Sequence, residues 1–519
     1  MLTSTYTFRN IIEGNFLYVD KTRYLYELVR PGTGIHFLAR PRRFGKSLMI
    51  STLEEIFLGN RDLFKGLWID SRDYDWQPHP VIRIDFSANA VESAANLVQV
   101  IDYYIEGIAQ HYGVTLRGFD YQTRFGNLIQ QLAQRDKKVV ILIDEYDKPI
   151  IDNLTNLLHA TAIRDTLKNF YTIIKAMDRY LRFVFITGIS KFSKVGIFSA
   201  MNNLDDLTMD PRFATALGIT EDELRSNFAE HLPLLAQQER TDVDGLLQQI
   251  RDWYDGFCFV RNCQSVYNPY STLVLFNKGQ FSNYWFETGT PTFLIKLIKS
   301  RNYDIQSFDQ LEVPELTFST FEIESLELVP LLFQTGYLTI KGFRVDKFGE
   351  MYTLSYPNYE VKNSFLSRLL SAYDEIEVAL SESHVRRLLY ALDSHDLPQF
   401  FEVLSVFFAN VDYALYLDNE KYYQTIFYLI FKLMGLRAES EVHTNQGRID
   451  AVVELDQYIF LFEFKLNKSA DEALQQIKDH DYARKYRFAG KPLTLIGANF
   501  DTAKRKVSEW KQEQEPVRK

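Results

Sequence analysis

Cysteine is nearly absent from this chain, with only Cys258 and Cys263 among 519 residues. Two cysteines cannot build a disulfide framework for a protein of this length, nor a four-ligand zinc site of their own. A C-x4-C pair without further cysteines reads as two free thiols, and a reducing cytosol is the expected setting. Long apolar runs are missing too. The longest purely aliphatic stretch, Val139–Ile143, falls far short of the roughly 18 residues a membrane span needs. Met1 to Asn10 holds no basic segment followed by an apolar one, so secretion is not expected and neither is a membrane partner. The nine histidines show no HExxH or paired spacing, no G-x-S-x-G string occurs, and there is no internal repeat or low-complexity tract. Basic charge is in the minority, 58 Lys+Arg against 68 Asp+Glu, which argues against coating nucleic acid by bulk charge. The C-terminal end departs from that average. Phe464 to Lys519 carries 13 basic and 8 acidic residues, an excess able to face a polyanion.

What is present is a globular composition rich in large aromatics, with 31 Tyr and 40 Phe, and a length that suggests three or four domains. Ile35–Ala39, Val81–Phe86, Val139–Asp144 and Phe183–Thr187 read as short buried strands. Helical spacing separates them over Lys46–Phe57, Val91–Tyr112, Tyr121–Gln134 and Ile163–Tyr180. That alternation predicts an α/β fold, a parallel sheet with helices on both faces, over residues 1–220. Residues 221–400 read as mostly helical, a lid or winged-helix region with a connector. Residues 401–519 read as a separate α/β unit: helix Tyr422–Met434, strands near Glu439–His443, Arg448–Leu455 and Tyr458–Leu466, helix Ala470–Tyr486, and strand Leu493–Ala498.

The first strand runs into Arg40-Pro41-Arg42-Arg43-Phe44-Gly45-Lys46-Ser47 and then a helix. A Gly-Lys-Ser ending is what a phosphate-binding loop needs. Gly45 lets the backbone approach the phosphates, Lys46 reaches the β/γ oxygens, the Ser47 hydroxyl ligates Mg²⁺, and the helix start presents free N–H groups. Arg40 stands where the first glycine of that pattern is expected. Arg42, Arg43 and Phe44 complete the candidate ATP-binding string. Val139–Ile143 ends in Asp144-Glu145, the arrangement in which one acid holds the metal and the next orients the attacking water. The strand Phe183–Thr187 leads to Ser190, whose hydroxyl is placed to sense the γ-phosphate.

A second constellation lies in the last unit. Arg448–Leu455 and Tyr458–Lys465 flank Asp456-Gln457 and read as an antiparallel hairpin. Pairing Leu455 with Tyr458 sets Asp450 directly opposite Glu463. One face is then apolar (Ile449, Ala451, Val453, Phe460, Phe462, Phe464) and the other carries Asp450, Glu463 and Lys465. Opposed carboxylates repel unless a divalent cation lies between them, and oxygen ligands suit Mg²⁺ or Mn²⁺. A lysine beside that metal stabilises charge developing on a phosphate.

Tyr18-Val19-Asp20-Lys21-Thr22, Phe37 to Ser47, Leu142-Ile143-Asp144-Glu145-Tyr146-Asp147 and Trp253-Tyr254-Asp255-Gly256-Phe257 together resemble the AAA-ATPase-like proteins of bacteria and archaea. In that family a P-loop module is joined to a C-terminal PD-(D/E)XK nuclease-like domain, and the resemblance spans nearly the whole chain. It implies that Arg40 in place of glycine is a family habit. It also implies that Asp450, Glu463 and Lys465 form an intact nuclease set, with Gln476 supporting the site from the following helix and either Glu441 or Glu420 adding a carboxylate. The expected function is ATP binding and hydrolysis, with Glu145 as base, coupled to metal-dependent cleavage of nucleic acid, DNA first. The alternative is an ATP-switched nucleic-acid-binding or signalling protein whose nuclease fold does not cut. A homo-oligomer is a further expectation of an assembly-type ATPase.

Overall fold

The computed structural model describes residues 5–135, 137–191, 203–285, 292–301, 303–318, 327–409, 420–435, 439–445, 448–487 and 489–515. The chain divides into two compact units, Met1–Phe293 with Phe308–Glu360, and Leu294–Ser307 with Val361–Lys519.

The first unit is built on five parallel strands: β1 (Ile35–Ala39), β2 (Val81–Asp85), β3 (Val139–Asp144), β4 (Leu181–Gly188) and β5 (Leu204–Asp206). Their order is β2-β3-β4-β1-β5, so β3, β4 and β1 are interior. Every residue of β3 is buried, as a β-branched, uninterrupted apolar run requires of a central strand. Parallel neighbours need crossovers, and the helices Ala94–His111, Tyr121–Arg135 and Leu157–Ala176 supply them. Beyond β5, the helices Glu221–Asn227, Leu232–Gln238, Val243–Tyr254 and Pro269–Lys278 contribute to a second core around Leu224, Phe228, Leu246, Ile250 and Tyr254.

The middle of the chain is less uniformly helical than the spacing predicts. It contains β6 (Leu311–Pro314), β7 (Thr339–Asp346) and β8 (Gly349–Ser355) in an antiparallel sheet of order β6-β8-β7. Much of β7 faces water, so its polar residues break the apolar alternation that would have marked it. A second difference concerns the cysteines. The bridge between Phe257 and Val266 folds the segment back, bringing the Cys258 and Cys263 Cα atoms to 5.9 Å, within disulfide range, and the two are bonded rather than free.

The second unit carries β9 (Glu439–Asn445), β10 (Arg448–Glu454), β11 (Ile459–Leu466), β12 (Leu493–Asp501) and β13 (Lys506–Glu515), ordered β13-β12-β11-β10-β9. Only the β11/β12 pair is parallel. The Phe462 and Phe464 rings meet Phe400, Phe427 and Phe431 of the helices Leu397–Ala409 and Glu420–Gly435 on one face. The other face packs Ile459, Leu461 and Leu495 against Leu474 and Ile477 of the helix Ala470–Asp479. That helix is shorter than its spacing predicts because Asp481 adopts a left-handed backbone (φ 48°) and the chain continues as a short 3-10 turn.

Candidate nucleotide and nuclease sites

Lys46 is the first residue of the helix Lys46–Phe57, and Gly45 caps it in the left-handed region (φ 92°) where glycine is unstrained. Arg43 is also left-handed (φ 61°). The Lys46 ammonium is buried and donates to the Arg40 and Pro41 carbonyls at 3.0 and 2.9 Å. Burial pulls its pKa down, opposed by the charges of Glu145, Asp144 and Asp147. Ser47, on the first turn, is half-buried. Phe44 is buried against Phe257 and Phe259 and, with Gly45, lines an apolar pocket that also contains Tyr18, Val19, Leu217 and Ile219.

Arg40 does structural work. Its guanidinium is buried, donates to the Ala39, Thr208 and Phe213 carbonyls, and lies 4.2 Å over the Phe259 ring. Burial lowers its pKa to about 9.

Asp144 ends β3 and is fully buried. Its Oδ1 accepts from the Thr187 hydroxyl (2.7 Å) and the Glu145 N–H (3.0 Å), while its Oδ2 has no hydrogen-bond partner among the described residues. An unsatisfied buried carboxylate oxygen is costly, and a cation would satisfy it. With the Ser47 hydroxyl, the donor chemistry fits Mg²⁺. Glu145 stands at φ 49°, a strained backbone for a non-glycine residue, and burial raises its pKa against the pull of Lys46. The Arg42 side chain adds positive charge toward Glu145. Ser190 is buried, and both its hydroxyl and its N–H donate to Asp147. Burial still raises the Asp147 pKa to about 6. β4 lies between β1 and β3, so its end with Thr187 and Ser190 stands between the loop and the acids.

The sequence motifs assign no role to Thr187 or Asp147. Thr187 was visible as the last polar residue of an interior strand, and Asp147 as the third acid after β3. Gly188 was visible only as a glycine. A Cβ there would lie 2.5 Å from both Asp147 Oδ1 and the Tyr146 ring, so the turn after β3 can lean on β4 only because Gly188 has none.

In the second unit Asp450 pairs with Glu463 and Ile449 with Phe464, the register the hairpin spacing predicts. The side chains of Asp450, Glu441 and Glu420 lie outside the described residues. By register Glu441 stands opposite Val452, two pairs along the ladder from Asp450. Glu463 is fully buried, and its Oε1 lies 3.1 Å from the buried Lys465 ammonium as an ion pair; that ammonium donates its hydrogen bond to Gln476 Oε1. The structure thus brings Glu463, Lys465 and Gln476 together, while Gln475 turns to Asp479.

Gly497 permits this arrangement. It pairs with Glu463 across β11/β12, and a Cβ on it would come 2.4 Å from the Ala470 carbonyl. The helix Ala470–Asp479 can therefore lie close over the strand and carry Gln476 to Lys465. Among the basic residues after Phe464, Lys478, Arg487, Lys491, Lys504 and Lys511 form ion pairs, several with acids of β13, a strand the spacing does not predict. Most of those acids belong to the same segment, so its net basic excess stands. Among the described residues no three His, Cys, Asp or Glu side chains cluster as a metal site, and no helix is long and apolar enough to cross a membrane.

A strand-to-helix loop ending in Gly-Lys-Ser near two strand-end acids, and a buried Glu–Lys pair on a mixed sheet, together define a two-module protein: a P-loop α/β module and a nuclease-type fold. Residues 3–198 match the family described as "Predicted AAA-ATPase", and residues 418–510 match the PD-(D/E)XK nuclease superfamily. The chain is 41% identical over 513 residues, 96% of each sequence, to a protein of Azotobacter chroococcum mcd 1 named "Uncharacterized protein in vnfD 5'region". It therefore belongs to the AAA-ATPase-like proteins that carry a PD-(D/E)XK nuclease-superfamily domain. A solved structure, the Aeropyrum pernix ORC1 protein in complex with DNA, aligns with 66% of this chain and 90% of its own at 14% identity and a TM-score of 0.23, too low to inform the reading.

Proposed function

We propose that the protein binds and hydrolyses ATP and, under the control of that cycle, cleaves phosphodiester bonds in DNA. Residues 1–220 take the nucleotide, 221–400 connect, and 401–519 act on nucleic acid. The observation that carries the reading is the buried Glu463–Lys465 pair held by Gln476, with Asp450 opposite by register. An ordinary solvated hairpin face would leave these groups exposed, and burying charge in such a place costs free energy that structure alone does not require.

At the loop, Lys46 exchanges its carbonyl partners for the β/γ-phosphate oxygens, with Arg42, Arg43 and the N–H groups from Gly45 to Ser47 around them. Ser47 and Asp144 would hold Mg²⁺ there, and Asp450 and Glu463 would hold Mg²⁺ or Mn²⁺ in the second site; bound, such an ion neutralises phosphate charge and makes a water more acidic. Glu145, its pKa raised by burial, accepts the proton of the attacking water. Lys465, aimed by Glu463 and Gln476, meets the negative charge growing on the scissile phosphate. Ser190, which donates to Asp147 with its hydroxyl and N–H, stands just past the end of β4 to sense the γ-phosphate. The apolar pocket beside Phe44 suits the nucleotide base. The protein works in the cytoplasm without a membrane partner, as a monomer or a homo-oligomer.

The test incubates the full chain with plasmid and single-stranded DNA, Mg²⁺ or Mn²⁺, with and without ATP, beside Lys46→Ala and Asp450→Ala. Cleavage lost in Asp450→Ala establishes the nuclease, and its response to ATP and to Lys46→Ala establishes control. ATP hydrolysis with no cleavage under any condition rejects the nuclease half in favour of a nucleotide-switched binding protein.

A further inference from the structure

The P-loop of this protein is braced from outside itself. With Arg40-Pro41 in place of a leading glycine, the loop meets residues far along the chain. Phe257 and Phe259 pack on Phe44 at 4.8 and 5.5 Å between ring centres. Gly336 lies against Pro41, so close that a Cβ on it would stand 2.6 Å from the proline ring. The Trp285 indole N–H donates to the Arg42 carbonyl at 2.9 Å. Trp285 is itself held, because the fully buried Glu360 carboxylate accepts its backbone N–H at 2.7 Å and the Ser271 hydroxyl at 2.8 Å.

We propose that Trp285 and Glu360 are positioning residues of the nucleotide site, fixing the orientation of the Arg42–Arg43 peptide. This rests on the reading that residues 40–47 bind nucleotide phosphate. In a trans peptide the carbonyl and the N–H point in opposite directions. Pinning the Arg42 oxygen toward Trp285 therefore sets the Arg43 N–H the other way and keeps that oxygen from turning toward an anion. A loop ordered in advance binds its ligand without the cost of ordering it then. Glu360 acts one step further back, by holding the backbone of Trp285.

ATP binding by the full chain, with and without Mg²⁺, tests this, with thermal unfolding measured in parallel. Trp285→Phe keeps an aromatic ring, though a smaller one, and removes the donor; its ATP Kd should rise about 3- to 10-fold, the worth of one hydrogen bond, at an unfolding temperature close to wild type. Glu360→Ala should weaken binding at least as much, and Glu360→Gln, which keeps an acceptor oxygen, should recover most of the loss. Wild-type affinity in both Trp285→Phe and Glu360→Ala overturns the proposal, as does a loss that tracks unfolding temperature and is not recovered by Glu360→Gln. Should Trp285→Phe fail to fold, the Glu360 pair decides alone. Lys46→Ala separates this from the parent reading. ATP bound by wild type and lost in Lys46→Ala, with Trp285→Phe and Glu360→Ala intact, sinks the brace only, whereas no ATP binding by wild type sinks both.

Discussion

In the nucleotide module the chemistry-bearing residues stand beyond the ends of parallel strands, on backbone that is itself unusual. Gly45, Arg43 and Glu145 all have positive φ. In the C-terminal unit they stand on regular strand, Asp450 and Glu463 paired across a hairpin and Lys465 two residues on, with a helix laid over them. A strand-end site concentrates its information in short strings, because left-handed turns and helix starts are local. A sheet-face site spreads it over register and over whatever covers the face. Removing one side chain should silence either site, whereas removing the device that presents the side chains should act differently on the two.

The largest effect expected is a double dissociation. Lys46→Ala should lower ATP hydrolysis by about 100-fold or more, and Glu463→Gln should lower metal-dependent DNA cleavage by a similar factor. Each readout is made on both variants. If Glu463→Gln also abolished ATP hydrolysis, the two sites would not be separable devices and the comparison would fail.

The strand-end site is sharpened by Arg40→Gly. This restores the glycine the loop pattern expects, yet it removes a buried guanidinium bonded to the Thr208 and Phe213 carbonyls and stacked on Phe259. It should destabilise the protein by about 3 kcal/mol rather than improve nucleotide binding, as chemical denaturation with an ATP-binding control would show. A variant with tighter ATP binding and unchanged stability would mean that Arg40 only hinders the loop.

Legibility followed the same division. β1, β3 and β4 were readable because interior parallel strands are continuous apolar runs, and the loop was readable from Gly45-Lys46-Ser47. The Asp450/Glu463 pairing was readable because a two-residue turn propagates its register. β13 was not, since Lys506–Glu515 pairs on one side only and is polar almost throughout. Nor were the disulfide and the Thr187 and Trp285 contacts, which join residues distant in sequence or depend on a local fold-back that spacing does not announce. The helix over Glu463 was expected, but not the dependence of its closeness on Gly497.

That dependence gives the matching test of the sheet-face site. Gly497→Ala should push the helix Ala470–Asp479 outward, cost about 2 kcal/mol by overpacking, and lower DNA cleavage while ATP hydrolysis is kept. Circular dichroism melts and the two activity assays check it. Full cleavage in Gly497→Ala would show that Gln476 need not sit on Lys465.

The smallest effect compares one buried acid in each unit. Burial raises the pKa of both Asp147 and Asp374 to about 6 although each accepts hydrogen bonds, from Ser190 and Ile189 in one case and from Ile376 and Ser381 in the other. A carboxyl with a raised folded pKa binds more protons folded than unfolded between about pH 4 and 6. Its contribution is full below the unfolded value and is lost as pH rises through the folded one. The stability of wild type relative to Asp147→Asn, and likewise to Asp374→Asn, should therefore fall by at most about 2 kcal/mol as pH rises from 4.5 to 7. Denaturation at several pH values measures it. Asp147 also faces Lys46, so saturating the loop with ATP should change its pH profile and leave that of Asp374 as it was. Equal responses at the two acids would mean that nucleotide reaches the second unit's core as well as the loop.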